Sequence, residues 1–249
     1  MPQILAITLD LDDTLWPMRP VLINAERALS EWLRLYAPRT ADLLSTDARA
    51  KVRARVIADN PARAHDVSFL RRESLRIALQ MAGEDPAHAE PAFQVFFDAR
   101  QRVTPFADVL PVLTRWAARY RLVAISNGNA DLARIGLAAH FSERLAAHDF
   151  EFAKPDPRIF HEACRRIGVA PQQVLHVGDD LQLDVFAARN AGLQAAWIRR
   201  PQLVESAVRQ TQSGAAVEKS DLAQPDKQEP EFADLDALDA HLQSVGADP

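Results

Sequence analysis

Short apolar runs alternate with helical patterns along this chain of 249 residues, and this alternation constrains the fold more than any other feature. Each run has the length of a strand that is buried on both faces. The predicted strands are residues 4–9, 122–126, 144–147, 174–178 and 194–198. Strands that alternate with helices favour a mostly parallel sheet between layers of helices, which is an α/β fold.

A helical block interrupts this alternation directly after the first predicted strand. Apolar residues recur at helical spacing from residue 20 to residue 102, and breakers such as Pro38 and Gly83 separate one stretch from the next. After Pro38, helices are predicted over residues 41–58, 66–82 and 86–102. The pattern therefore predicts a core of residues 1–17 and 104–201, with an all-helical domain of residues 18–103 inserted after strand one.

The end of the chain has a different composition from the core. Residues 202–231 are rich in Gln, Ser, Lys, Glu and Pro and poor in large apolar side chains, which is typical of a polar, flexible linker. Residues 232–249 are predicted to form a short amphipathic helix, which ends near residue 245, and a tail.

Charge and hydropathy exclude several kinds of partner. The net charge of −5 has the wrong sign for nucleic acid or an anionic membrane surface. No apolar run approaches the roughly 18 residues that a membrane span needs. Asp10 ends the first apolar run too early for a signal peptide, so a cytoplasmic location is expected. The sequence leaves the oligomeric state open.

Chemically active side chains follow the predicted strands directly. In open parallel sheets, ligands bind outside the carboxyl ends of the strands. Lys154, one of only four lysines in this arginine-rich chain, begins a helix between the third and fourth strands. The polar residues just after strands one, two and four are Asp10, Asp12, Thr14, Ser126, Asn127, Gly128, Asp179, Asp180 and Asp184.

A cluster of carboxylates at one edge of the sheet requires a cation. Two unit charges about 4 Å apart repel by about 4 kcal/mol at an effective dielectric constant near 20. Oxygen ligands with room for water and a phosphate suit Mg²⁺ best. The predicted metal ligands are Asp10, Asp12, Asp179, Asp180 and Asp184. For Asp180 and Asp184, an ordinary role at the start of a helix stays an equal alternative.

These groups together predict phosphoryl transfer, which depends on positioning and on neutralising charge. Asp10 is the predicted nucleophile, Asp12 the acid and base, and Lys154 the cation that holds Asp10 and the phosphoryl group. Predicted substrate contacts are Ser126, the backbone amides of Asn127 and Gly128, and the side chains of Thr14, Trp16 and Arg19. His176 is expected to face away from the site and to pack in the core.

The ordered set of Asp10, Asp12 and Thr14, then Ser126, Lys154 and the stretch 178–184 resembles the four motifs of the haloacid dehalogenase superfamily. This resemblance covers residues 1 to about 200. It implies a Rossmann-like core, Mg²⁺, an aspartyl-phosphate intermediate and a helical cap that closes over the substrate. It also implies that true dehalogenases lack an acid at the position of Asp12 and need no metal, so a phosphatase is favoured.

Three further segments, residues 123–130, 175–180 and 191–199, resemble bacterial flavin-pathway phosphatases. This resemblance implies a small phosphorylated metabolite, such as FMN or the phosphate of 5-amino-6-(5-phosphoribitylamino)uracil, as substrate. Two alternatives stay open. The chain is also compatible with a phosphomutase acting on sugar phosphates, or with a module of the same fold that binds phosphorylated metabolites without catalysis.

Overall fold

A parallel sheet forms the centre of the computed structural model, which describes residues 2–203 and 230–245. The strand order β3-β2-β1-β4-β5-β6 confirms the predicted α/β fold with a parallel sheet. The strands are β1 (Ala6–Leu9), β2 (Arg121–Ser126), β3 (Glu143–Ala146), β4 (Val174–Gly178), β5 (Gln194–Ile198) and β6 (Glu231–Phe232). The short strand β6 was not predicted, and the rest of the predicted linker, residues 204–229, lies outside the described residues, as does the tail from residue 246.

The central position of β1 brings three strand ends together. Leu9 pairs with Ala124 of β2 on one side and with Val177 of β4 on the other, so the three strands end at nearly the same level. The backbone N–H of Asp10 donates to the carbonyl of Val177 at 2.9 Å and extends the pairing by one residue. Polar residues that follow β1, β2 and β4 therefore share one edge of the sheet.

Five helices follow β1 and form a unit that we call the helical insertion. They are α1 (Met18–Tyr36), α2 (Pro38–Leu44), α3 (Ala48–Asp59), α4 (Val67–Met81) and α5 (Ala89–Arg100). Buried side chains of α1, such as Leu29 and Leu33, share an apolar cluster with Phe93 and Phe96 of α5. No helix in the described parts of the chain is both long and apolar enough to cross a membrane.

The helix predicted over residues 41–58 is interrupted and forms two helices. The hydroxyls of Ser45 and Thr46 donate to the carbonyls of Asp42 and Leu43, each at 2.7 Å. These side chains compete with the backbone for carbonyl groups in the last turn of α2, which favours ending the helix there.

Helices cover both faces of the sheet. In chain order after the insertion come α6 (Val109–Ala117), α7 (Leu132–Ile135), α8 (Pro157–Ile167), a π-helical turn (Leu181–Phe186) that continues into α9 (Ala187–Asn190), and α10 (Leu235–Val245). Side chains of β1 alternate between the two layers. Ile7 and Leu9 belong to the apolar cluster that contains Trp116 of α6, whereas Ala6 belongs to the one that contains Phe160 of α8.

The C-terminal helix α10 is attached to α6 through a buried carboxylate. Asp239 accepts a hydrogen bond from the indole N–H of Trp116 at 2.9 Å and another from Nε of Arg115 at 2.8 Å. Arg115 also pairs with Asp236 at 2.7 Å, but that carboxylate is exposed. Leu238 and Leu242 complete the contact by packing into the core.

Replacing Asp239 by Ala tests this attachment. The change leaves the buried indole N–H of Trp116 without its acceptor, so we expect the free energy of unfolding to fall by about 1 to 3 kcal/mol in urea denaturation. Asp236→Ala is the matched control, because its exposed ion pair contributes less than about 1 kcal/mol. Equal losses in the two variants would contradict the proposed difference between a buried and an exposed contact.

Candidate active site

The loop after β1 folds back on itself and presents two carboxylates at the edge of the sheet. The N–H of Leu15 donates to the carbonyl of Leu11, and the N–H of Asp13 donates to the carbonyl of Trp16, both at 2.8 Å. Asp13 has a φ of 60°, a left-handed conformation that Asp adopts more readily than most residues. The tight loop keeps Asp10 and Asp12 beside the ends of β2 and β4.

The ammonium group of Lys154 lies between two carboxylates. Its Nζ atom is 2.5 Å from Oδ1 of Asp10 and 2.5 Å from Oδ1 of Asp184, and all three side chains are buried. The side chain of Asn127 fixes the backbone of Lys154, because it donates to the Lys154 carbonyl at 2.8 Å and accepts from the Lys154 N–H at 2.9 Å. The sequence predicts a role only for the backbone amide of Asn127, so the contact of its side chain with Lys154 is a further finding.

Gly178 at the end of β4 lets Asp184 approach the strand. A Cβ atom on Gly178 would lie only 2.2 Å from Cγ of Asp184, so any side chain here would displace this carboxylate. The backbone N–H of Asp180 donates to Oδ2 of Asp184 at 3.0 Å. On the other side, the hydroxyl of Thr14 donates to Oδ1 of Asp179 at 2.8 Å.

Asp10, Asp179 and Asp184 form the group that could hold a metal ion. Each offers one carboxylate oxygen, and these oxygens lie within 4.8 Å of one another. Carboxylate oxygens suit a hard divalent cation such as Mg²⁺, so the donor set fits the expected metal. Oδ1 of Asp184 already contacts Lys154 and His176, which leaves Asp10 and Asp179 with fewer competing partners.

Burial and charge divide these carboxylates into two kinds. Burial raises the pKa of Asp10 to about 8, despite the opposing charge of Lys154. Burial also raises the pKa of Asp179, and the charges of Asp10 and Asp184 add to the effect. For Asp184, burial is outweighed by Lys154 and His176, which hold its pKa below the usual range. Without a further cation, two of the three carboxylates therefore favour the protonated form.

His176 is more closely connected to the site than the sequence predicted. It is fully buried, and its Nδ1 lies 2.8 Å from the hydroxyl of Thr8. Its Nε2, however, lies 3.1 Å from Oδ1 of Asp184. The alternation of side chains along β4 places the ring in the helix layer that contains Phe160 of α8. The turn after β4, however, brings Asp184 back to the same layer. His176 therefore packs in the core, as expected, but it also contacts the site through Asp184.

Asp12 is held by a side chain of the helical insertion. Nη2 of Arg100 lies 2.7 Å from Oδ1 and 2.6 Å from Oδ2 of Asp12, and the indole N–H of Trp16 donates to Oδ1 at 2.8 Å. Arg100 is the last residue of α5 and is buried. No sequence pattern indicates this role, because arginines are abundant in this chain and the end of a helix carries no motif.

The carboxylates of Asp12 and Asp180, which the sequence also predicts as ligands, do not belong to the group of three that could hold a metal ion. That of Asp12 contacts Arg100 and Trp16, as described above. Oδ1 of Asp180 accepts the backbone N–H groups of Gln182 and Leu183 at 2.7 and 2.8 Å. This contact caps the following helical turn, so the helix-start alternative describes Asp180 in this structure.

The other predicted substrate contacts occupy different environments. Trp16 and Thr14 are fully buried and hydrogen-bond to Asp12 and Asp179, so they position acids, while Arg19 is exposed in the first turn of α1. The Ser126 hydroxyl accepts the N–H of Gly128 at 3.0 Å. The two residues thus form a tight turn at the end of β2.

Comparison with known proteins agrees with this arrangement. Residues 4–192 match the family model of haloacid dehalogenase-like hydrolases. The chain is 35% identical over 201 residues to 5-amino-6-(5-phospho-D-ribitylamino)uracil phosphatase YigB of Escherichia coli, which covers 79% of this chain and 84% of that protein. It is 30% identical over 207 residues to the glyceraldehyde 3-phosphate phosphatase of Methanopyrus kandleri, which covers 80% and 85% of the two chains.

A solved structure gives the same result for the fold. The crystal structure described as 2-haloacid dehalogenase from Pseudomonas syringae pv. Tomato DC3000 superposes with a TM-score of 0.83 at 34% identity, and covers 98% of this chain and 100% of that one. The family model spans well over half of the residues, and the acids, the lysine and the small residues of the four motifs meet at one edge of the sheet. The chain therefore belongs to the haloacid dehalogenase-like hydrolase family.

Proposed function

We propose that this chain is a Mg²⁺-dependent phosphatase, which hydrolyses a small phosphate monoester through an aspartyl-phosphate on Asp10. The observation that carries the proposal is the convergence of Lys154, Asp179 and Asp184 on Asp10, with Asp12 two residues further along the same loop. The phosphatases named among the relatives support the same reaction class.

The first step transfers the phosphoryl group to the protein. A carboxylate oxygen of Asp10 attacks phosphorus, and the bond from phosphorus to the leaving oxygen breaks. The carboxyl group of Asp12 donates its proton to that oxygen, so the alcohol leaves in its neutral form. Lys154 orients Asp10 through its 2.5 Å contact and contributes positive charge beside the reacting group.

The second step returns Asp10 to its original state. The carboxylate of Asp12 removes a proton from water, the resulting hydroxide attacks phosphorus, and the bond to Asp10 breaks with release of inorganic phosphate. Ser126 and the turn at Gly128 would hydrogen-bond to phosphoryl oxygens in both steps. Mg²⁺, held by Asp10 and Asp179, would supply positive charge that offsets the charge of those oxygens.

Asp12 favours ester hydrolysis over displacement of a halide. A departing alkoxide requires a proton, whereas a halide leaves without one, so an acid beside the nucleophile serves only the first reaction. The helical insertion, for which we keep residues 18–103 as the proposed boundaries, would act as a cap that keeps bulk water from the intermediate. The cytoplasmic location stays a prediction.

Replacement of Asp10 by Asn tests the nucleophile. The amide cannot form an acyl phosphate, so we expect hydrolysis of p-nitrophenyl phosphate in the presence of Mg²⁺ to fall by at least about 1,000-fold. Asp236→Asn is the matched control on α10 and should retain activity, because its exposed carboxylate pairs with Arg115 of α6. Comparable turnover by Asp10→Asn would eliminate the covalent mechanism.

Thermal unfolding tests the metal site without an activity assay. The pKa of Asp10 is about 8 in the folded protein and about 3.9 in unfolded chains, so folding takes up a proton between these values. Stability of the metal-free protein should therefore fall by about 1 kcal/mol as the pH rises from about 7 to about 8. This window avoids the titration of unfolded histidine near pH 6.5.

Saturating Mg²⁺ should raise the melting temperature and remove most of this pH dependence, because the ion binds the deprotonated carboxylates. A hundredfold excess over the dissociation constant corresponds to about 2.7 kcal/mol. Asp10→Asn should lose the part of the pH dependence that arises from Asp10. A melting temperature that does not change when Mg²⁺ is added would contradict the proposed site.

A panel of phosphate esters tests the substrate class. The similarity to YigB extends over most of both chains, so we expect the highest kcat/KM for FMN or 5-amino-6-(5-phospho-D-ribitylamino)uracil. Glyceraldehyde 3-phosphate and hexose phosphates serve as comparison substrates. A hexose phosphate that isomerises without release of phosphate would favour a phosphomutase. Binding of esters with no turnover would favour a non-catalytic module.

A further inference from the structure

The guanidinium of Arg100 is buried beside Asp12 but is only partly used there. The side chain is 1% exposed, and Nη2 makes both contacts to the carboxylate. Its other terminal nitrogen, Nη1, is buried and has no hydrogen-bond partner among the described residues. A buried donor without an acceptor costs free energy, so this atom indicates a ligand that the protein alone does not supply.

The position of Arg100 is fixed by the next residue. The side-chain oxygen of Gln101 accepts the N–H of Asp131 at 2.7 Å, and its amide nitrogen donates to the carbonyl of Phe97 at 3.1 Å. The end of α5 is thereby tied to the loop that follows β2. Arg100 is held against the core at the same edge of the sheet as Asp10.

The absence of a side chain at Gly128 lets Arg100 lie close to the predicted phosphate contacts. A Cβ atom on Gly128 would lie 2.6 Å from Oδ2 of Asp12, 3.3 Å from the Ser126 hydroxyl and 3.5 Å from Nη2 of Arg100. An acid, a hydroxyl and a guanidinium therefore surround the point where a side chain is missing. Of these groups, the hydroxyl and the guanidinium can donate hydrogen bonds to a tetrahedral oxyanion.

A phosphoryl group bound here needs a second cation. Lys154 is already paired with Asp10 and Asp184, and a phosphoryl dianion would add two negative charges. Arg100 supplies a second cation. Its planar group can give one N–H to Asp12 and another to a phosphoryl oxygen, or can exchange the first partner for the second.

We infer that Arg100 binds a non-bridging oxygen of the substrate phosphoryl group, so that the helical insertion supplies part of the phosphate site. This inference rests on the proposed phosphatase function.

Binding of inorganic phosphate to the Mg²⁺-loaded protein tests the inference by calorimetry, without turnover. We expect Arg100→Gln to weaken phosphate binding by roughly 10-fold to 100-fold, and Arg100→Lys to recover part of the loss. Arg102→Gln is the matched control, because this exposed arginine lies two residues further along and carries the same charge. It should change the affinity by less than about threefold. Circular dichroism and the melting shift with Mg²⁺ establish that each variant is folded.

Unchanged phosphate affinity in folded Arg100→Gln, with a reduced kcat, would overturn the inference and leave Arg100 as a positioning residue for Asp12. If the variant does not fold, a crystal structure of the unaltered protein with tungstate decides, since Arg100 should lie within about 3.2 Å of an oxyanion oxygen. A separation too long for a hydrogen bond would refute it. Phosphate binding that depends on Arg100, in a protein that hydrolyses no ester, would instead refute only the proposed function.

Discussion

A buried ammonium between two carboxylates is the interaction on which the site depends. Lys154 follows β3, Asp10 follows β1 and Asp184 follows β4, so one ion cluster joins three parts of the core. Charged groups taken out of water are costly unless each is paired with good geometry. Here the pairing is close, and the side chain of Asn127 hydrogen-bonds to both the N–H and the carbonyl of Lys154. The cluster therefore fixes where Asp10, the proposed nucleophile, lies before any substrate binds.

The rule that parallel strands end together accounts for what could be predicted from sequence. It located Asp10, Ser126 and Asp179 at one edge, because their strands are short, apolar and adjacent in the sheet. Lys154 follows no strand directly and was found through the scarcity of lysine. Sequence spacing could not give the orientation of each carboxylate. That orientation depends on partners such as Thr14, which only the packed structure reveals.

Contacts between distant elements account for what was missed. Arg100 lies 88 residues from Asp12 in the sequence and is the last residue of α5. The hydrophobic periodicity of that helix indicates which side packs inward, but not which residue Arg100 contacts. His176 contacts Asp184 because Gly178 leaves room for the carboxylate, a close approach that no periodicity encodes. The prediction of one continuous helix over residues 41–58 was wrong for a local reason, because two hydroxyl side chains compete for backbone carbonyls there.

The two chain connections between the helical insertion and the core both lie at the site. The insertion therefore contacts residues of the site directly. At the entry, the N–H of Met18 donates to the carboxylate of Asp13, next to Asp12. At the exit, Arg100 forms a salt bridge with Asp12 itself, and Gln101 hydrogen-bonds to the loop after β2. Arg100 contacts Asp12, whereas Lys154 and Asp10 contact each other within the core. The orientation of Asp12 therefore depends on the insertion, and the ion pair of Asp10 with Lys154 does not.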